Sequence, residues 1–132
     1  MTTIEYRTLP GTCAAVGRAG THSVIADRPS GKSGGMGLGF NGGELLALSI
    51  GGCFCNDMQA IADEMGLTIS DLRVSVDVDF AGEPSRASGA RMSVNCTLVD
   101  GSDPSKLIER ARDQTTIGNS LRVGIPVDIS AA

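Results

Sequence analysis

Two cysteines near the middle of the chain, Cys53 and Cys55, lie in the segment GGELLALSIGGCFCND, which covers residues 42–57. The thiolate is the reactive form of cysteine, so an accessible thiol in this segment is the first candidate for chemistry. The segment reads as a helix, and residues two positions apart on a helix project about 200° from each other. Cys53 and Cys55 therefore cannot form a disulfide or bind one ion together, and each has a separate role.

The glycine pair Gly51-Gly52 directly precedes Cys53. A glycine inside a helix costs roughly 1 kcal/mol relative to alanine, so the pair requires a physical reason. Two explanations are open: close approach of another helix or strand, and access of a ligand to the turn that carries Cys53. A packing role is also open for every cysteine of the chain, because free cysteine commonly behaves as a small buried hydrophobic residue. The four are Cys13, Cys53, Cys55 and Cys96.

Composition excludes several classes of site. The chain has one histidine and no CxxC motif, so we expect free thiols, no metal and no cofactor. The net charge is −4 and no Lys/Arg cluster is present, which argues against a nucleic-acid partner. The longest apolar-rich run, residues 45–55, is shorter than the ~20 residues that cross a bilayer. The N-terminal residues do not resemble a signal peptide. We therefore expect a cytoplasmic protein without a membrane partner.

A glycine-rich loop over residues 28–43 matches two nucleotide-binding patterns only superficially. The tripeptide GKS begins at Gly31, but Ala26 stands where a P-loop requires its first glycine. Gly37, Gly39 and Gly42 fit GxGxxG, but the surrounding pattern is not a βαβ unit. The interpretation that fits best is a functional or mobile loop that does not bind a nucleotide.

Periodicity predicts the elements that position these residues. We expect three strands between residues 3 and 26, a buried helix over 44–65, and a long antiparallel hairpin with Cys96 facing inward. A second helix should begin with Asp103 as N-cap and Pro104 at its first position. A last strand is predicted over residues 121–130. This order predicts an α+β fold in one domain, residues 1–132.

The sequence resembles the OsmC/Ohr family of thiol-dependent hydroperoxide reductases. The resemblance follows the order of elements along the whole chain. It is strongest in the GRAG turn at 17–20, in NGGELLALSIGGCF at 41–54, and in the C-terminal helix with its GN turn and the predicted last strand. It implies an OsmC/Ohr-like fold, in which antiparallel sheets pack around a long central helix, and an intertwined homodimer with active sites between the subunits.

The resemblance also implies site residues. Cys53 matches the peroxide-attacking cysteine of the family, and Arg18 matches the arginine that activates it, with Arg28 as second choice. This role has a physical basis, because an ordinary cysteine, with a pKa of about 8.5, is mostly protonated at neutral pH. Cys53 lies about three turns into its helix, where the helix dipole helps little. A guanidinium is the natural source of the missing positive charge.

Two positions depart from the family pattern. Gly42-Gly43 occupies the place of a Pro-Glu pair whose carboxylate holds the arginine, and Glu44 is the nearest substitute. Thr115 occupies the place of the second, resolving cysteine. The sequence therefore predicts a one-cysteine peroxidase that reduces organic hydroperoxides through Cys53 with an external thiol. The alternative is a non-catalytic dimer that binds a small apolar or thiol-bearing ligand.

Overall fold

The computed structural model describes all 132 residues. Its contacts divide the chain into two compact units, Met1–Leu46 and Ala47–Ala132, which are considered in turn. The elements are β1 (Glu5–Thr8), β2 (Ala15–Ala19), β3 (His22–Ala26), α1 (Gly42–Glu64), β4 (Ile69–Ala81), β5 (Arg86–Leu98), α2 (Ser105–Gln114) and α3 (Thr116–Val123). The predicted α+β class, with antiparallel sheets and one long helix, is confirmed. The single domain and the homodimer stay predictions.

In the first unit, β1, β2 and β3 form an antiparallel sheet in that order. The GRAG segment makes the predicted turn between β2 and β3, where Ala19 pairs with His22. Gly20 has φ +59°, a conformation that glycine adopts at little cost. Arg18 lies in β2 with its side chain exposed.

The loop after β3 folds around the carboxylate of Asp27. Its Oδ2 accepts N–H bonds from Met36 at 3.1 Å and from Leu38 at 3.0 Å. The chain then returns so close to β3 that a Cβ on Gly39 would overlap the carbonyl oxygen of Ile25. The loop is therefore a compact structure that depends on glycine for close approach.

The amides of this loop bond to the loop itself. Gly31 N–H donates to the Gly35 carbonyl at 3.1 Å, and Gly35 N–H donates to the Lys32 carbonyl at 2.8 Å. Gly37 N–H donates to the Arg28 carbonyl at 3.1 Å. Because these donors are already used, they are not available to cradle a phosphate. The absence of a nucleotide site stays a prediction.

In the second unit, β4 and β5 form the predicted hairpin, with Leu72 opposite Cys96 and Val76 opposite Met92. Cys96 faces inward, as predicted, and is 9% exposed. The core that α1 and α2 complete against this hairpin is aliphatic apart from one aromatic ring. Its buried members are Phe54, Met58, Ile61, Ala62, Cys96, Leu98, Leu107 and Ala111.

The two glycines in the middle of α1, Gly51 and Gly52, have different surroundings. A Cβ on Gly51 would lie 3.1 Å from Val76 Cγ2, so helix and strand approach closely at this residue. A Cβ on Gly52 would meet no heavy atom within 4 Å. Close approach to a strand therefore explains Gly51, and it leaves Gly52 without a packing role inside this unit.

The start of α2 lies one residue later than predicted. Pro104 is the N-cap residue and Ser105 the first residue of the helix, so the predicted placement of Asp103 and Pro104 is wrong by one position. Asp103 Oδ1 still accepts the Ser105 N–H at 3.0 Å. The four N-terminal N–H groups of a helix lack partners within it, and Asp103 satisfies one of them.

The predicted last strand over residues 121–130 is wrong. Thr116–Val123 forms α3, which ends at Gly124 with φ +84°, and the residues after it form neither helix nor strand. The alternation of Ile125, Val127 and Ile129 favours extended backbone, but a strand also needs a hydrogen-bonding neighbour. These three side chains are exposed, at 64%, 74% and 93%.

By length and composition, α1 could cross a membrane, although the shorter run counted in the sequence did not suggest it. One such helix is weak evidence, because the core helix of a soluble protein meets the same criterion. Phe54, Met58 and Ile61 of α1 lie in the core of the second unit. The expected cytoplasmic location stays a prediction.

Candidate active site

Cys53 lies in the fourth turn of α1 with its side chain half-buried. Its sulfur has two polar neighbours in the second unit. The Thr115 hydroxyl donates to Sγ at an Oγ1–Sγ distance of 3.7 Å. The thiol itself donates to Asp57 Oδ2 at a distance of 3.8 Å. The sulfur therefore accepts one hydrogen bond and donates another, which fixes its orientation.

Thr115 is the one non-helical residue between α2 and α3, and it is only 4% exposed. Its backbone belongs to both helices: its N–H donates to Ala111 at 2.9 Å, and its carbonyl accepts from Asn119 at 3.0 Å. Gly118 faces its methyl group, because a Cβ there would lie 2.8 Å from Thr115 Cγ2. The backbone bonds and this tight packing hold the hydroxyl against Cys53.

Asp57 reaches the thiol because it stands four residues after Cys53. Residues at i and i+4 share a helix face, with Cβ atoms about 5–6 Å apart. Asp57 is half-buried, and it was not among the site residues predicted from the sequence. The signal that could have identified it is this spacing, since a carboxylate one turn from a cysteine can accept its proton.

The two neighbours act on the sulfur in opposite directions. A hydroxyl that donates to sulfur stabilises negative charge there. A carboxylate can accept the thiol proton, but its own charge repels a thiolate. The arrangement can therefore hold a hydrogen-bonded thiol and receive its proton. A stable thiolate would need a cation in addition.

The arginines predicted to supply that cation, Arg18 and Arg28, both belong to the first unit, and both side chains are exposed. Arg28 directs its backbone N–H to Asp27 Oδ1 at 2.8 Å. Activation of Cys53 by either arginine stays a prediction.

Glu44 has a local role at the start of α1. Its Oε1 accepts the Asn41 N–H at 3.1 Å, and Asn41 Oδ1 accepts the Glu44 N–H at 2.8 Å. This reciprocal pair resembles a capping box, which satisfies donors at a helix start. The carboxylate is thus already engaged, and its predicted role as partner of the arginine stays a prediction.

The remaining cysteines differ from Cys53 in their surroundings. Burial raises the pKa of Cys55. Burial also raises the pKa of Cys96, and the negative charge of Asp71 adds to the effect. A raised pKa favours the unreactive thiol, so both residues fit a packing role. Cys13 is exposed and lies in the first unit.

A model of the OsmC-like protein family matches residues 34–130. The chain belongs to the OsmC-like family. The resemblance noted in the sequence is therefore confirmed over the greater part of the chain. No curated protein matches this OsmC-like chain.

Solved structures share its fold. A protein from Psychrobacter arcticus 273-4, named for an osmotic stress induced and detoxification response, is 22% identical with a TM-score of 0.74. The match covers 91% of this chain and 88% of that one. An OsmC-like protein from Mycoplasma pneumoniae is 14% identical with a TM-score of 0.77, covering 92% and 87%. An organic hydroperoxide resistance protein OsmC from Legionella pneumophila is 16% identical with a TM-score of 0.65, covering 92% and 89%.

Proposed function

We propose that this OsmC-like protein is a thiol-dependent peroxidase that reduces organic hydroperoxides through Cys53 with an external thiol as reductant. The observation that carries the proposal is the half-buried Cys53 sulfur, which accepts a hydrogen bond from the Thr115 hydroxyl at 3.7 Å. A donor to sulfur favours the thiolate that peroxide reduction requires. The name of the Legionella relative, an organic hydroperoxide resistance protein, supports the substrate class.

The proposed reaction has two stages. Cys53 sulfur attacks the terminal oxygen of the hydroperoxide, so an S–O bond forms and the O–O bond breaks. Sulfur loses two electrons and becomes a sulfenic acid, while the peroxide becomes an alcohol. One external thiol then forms a mixed disulfide with Cys53 and releases water, and a second thiol restores Cys53.

Thr115 is the reason for proposing that the reductant is a separate thiol molecule and not a second cysteine of the chain. The residue in contact with the Cys53 sulfur carries a hydroxyl, which cannot form a disulfide. Cys55 is two residues away on the same helix, where the geometry prevents a disulfide in a regular helix. Cys96 is buried in the core. These surroundings of Cys53 support a small external thiol or dithiol as the proposed reductant of the sulfenic acid.

Arg18 is proposed as the cation that balances the thiolate, with Arg28 as the second choice. An arginine keeps its charge when partly buried, which suits this role. Replacing Arg18 with lysine or methionine should slow peroxide reduction, and the same changes at Arg28 serve as the comparison. Glu44 is proposed to orient the arginine, and Glu44→Gln tests this part.

The test of the main proposal is consumption of cumene hydroperoxide with excess dithiol. Purified wild-type protein should consume the peroxide, and the Cys53→Ser variant should not. Dimedone, which reacts with sulfenic acids, should label Cys53 after one equivalent of peroxide. Equal rates for wild type and Cys53→Ser would contradict the proposal.

One observation favours the alternative, a non-catalytic dimer that binds a small apolar or thiol-bearing ligand. Asp57 Oδ2 lies 3.8 Å from the sulfur, where its charge opposes a thiolate. If the protein is such a binding dimer, a ligand should co-purify with it and Cys53 should be alkylated slowly at neutral pH. The peroxidase proposal expects Cys53 to react faster than a buried thiol such as Cys96.

A further inference from the structure

The thiol proton of Cys53 has a defined acceptor. Sγ donates to Asp57 Oδ2 at 3.8 Å, whereas Thr115 Oγ1 donates toward the sulfur at 3.7 Å. The direction of these bonds divides the roles: the threonine supports charge on sulfur, and the aspartate receives the proton. Both contacts lie within the second unit.

The carboxylate of Asp57 has no partner other than the Cys53 thiol. None of the five ion pairs of the structure involves its carboxylate. Its only hydrogen bond is the one from Cys53. Since both residues belong to the same face of α1, one helical turn holds the carboxylate beside the sulfur. An unpaired carboxylate held in this way can exchange a proton with groups at the sulfur.

We propose that Asp57 is a second catalytic residue, which carries the Cys53 proton to the leaving alkoxide. The inference rests on the proposed peroxidase function. The thiol proton first passes to Asp57 Oδ2, which leaves the Cys53 thiolate. This thiolate attacks the terminal peroxide oxygen, so an S–O bond forms as the O–O bond breaks. The carboxylic acid then gives this proton to the alkoxide, which leaves as an alcohol. The terminal oxygen keeps its own hydrogen and becomes the sulfenic acid hydroxyl.

The leaving group makes this step necessary. An alkoxide is a strong base and leaves slowly unless it is protonated as it forms, which is the task of a general acid. A peracid releases a carboxylate instead, which is a weak base and needs no proton. The benefit of Asp57 should therefore depend on which peroxide is reduced.

The test compares Asp57→Asn with wild type on cumene hydroperoxide and on peracetic acid. We expect the variant to reduce cumene hydroperoxide at least ~100-fold more slowly, which is the low end of general acid catalysis. It should reduce peracetic acid no more than ~3-fold more slowly. The ratio of the two rates is the readout, because the fraction of correctly folded protein cancels in it. Asp63→Asn, an exposed change on the same helix, is the matched control and should keep the wild-type ratio.

The outcomes are separable. An unchanged ratio in Asp57→Asn, with both rates kept or both lowered equally, overturns the role of Asp57 and leaves the peroxidase proposal intact. A wild-type protein no faster than Cys53→Ser on either peroxide overturns the proposed function, and this inference with it. Asp57→Glu keeps a carboxylate and should recover part of the wild-type ratio; no recovery at all would count against the proton relay.

Discussion

At Thr115 a hydroxyl points at the Cys53 sulfur from 3.7 Å, so a sulfur at the same position would face Cys53 directly. We predict that Thr115→Cys converts the protein to an internal two-cysteine cycle. One equivalent of hydroperoxide, without external thiol, should give a disulfide between Cys53 and the introduced thiol, because that thiol attacks the sulfenic acid. Mass spectrometry of the linked peptides measures it.

Thr115→Ser is the control for that change, since it keeps the hydroxyl and adds no sulfur. It should accumulate dimedone-reactive sulfenic acid, as is expected of the wild type. A Thr115→Cys protein that still accumulates sulfenic acid would show that the two side chains do not meet in solution.

The residues of the site were predictable to different degrees. Cys53 and the position of Thr115 came from the resemblance to the OsmC/Ohr family. The structure brings their side chains into contact, and their roles stay predictions. Asp57 was visible at i+4, but its role depended on the rotamers of two side chains, which spacing alone does not give. The expected pairing of Arg18 with Cys53 concerns residues of different units, and it stays a prediction.

At the scale of elements, α1 carries two adjacent glycines with opposite surroundings. Gly52 has no neighbour for a Cβ, so Gly52→Ala should raise stability by about 1 kcal/mol through helix propensity. Gly51→Ala should raise the stability less than Gly52→Ala does, or lower it, because the added Cβ would lie 3.1 Å from Val76 Cγ2. Chemical denaturation of both variants measures the difference. A loss of stability in Gly52→Ala would instead indicate a second partner packed on this residue.

The loop around Asp27 should make the folding stability of the protein depend on pH. The N–H bond from Leu38 lowers the pKa of Asp27 most, and the bonds from Met36 and Arg28 add to it, while burial opposes them. The stability that the carboxylate contributes is therefore present above its unfolded pKa of about 3.9 and is lost as pH falls through the lower folded value.

Asp27→Asn tests this loop, because an amide replaces an oxygen that accepts two N–H bonds. The variant should melt at a lower temperature than wild type at pH 7, and the difference should shrink below about pH 4. Thermal melting from pH 2 to pH 7 measures it. Asp63→Asn, an exposed change, is the reference and should keep the wild-type pH dependence. A constant gap between Asp27→Asn and wild type at every pH would contradict the prediction.

The elements themselves followed from the sequence where one pattern controls the outcome. The alternation of apolar residues predicted β4 and β5 as strands, and the helical spacing predicted α1 as a helix. The predicted bounds of these three elements are close to the observed ones. The same alternation failed at Ile125, Val127 and Ile129, because extended preference becomes a strand only beside another strand. The pattern of residues within one segment does not show whether another strand lies beside it.

At the scale of the whole molecule, the exposed apolar residues are consistent with the proposed homodimer. Leu48 lies in α1 and is 51% exposed, whereas a partner helix would bury it. Burial of a leucine side chain is worth about 1.5–3 kcal/mol, so its loss is large enough to shift a dimer equilibrium. A wild-type dimer should have a mass of about 27 kDa, twice the 13.5 kDa of the chain.

We predict that Leu48→Asp raises the dimer dissociation constant at least ~10-fold, because each ~1.4 kcal/mol lost weakens association tenfold. Light scattering over a dilution series measures both proteins. Gln59→Asp introduces the same carboxylate at an exposed, already polar position of α1 and should stay dimeric. A monomeric wild type would refute the dimer itself. Equal dissociation constants for Leu48→Asp and wild type would instead place the contact elsewhere on the molecule, and the exposed Ile125, Val127 and Ile129 would then be the residues to replace.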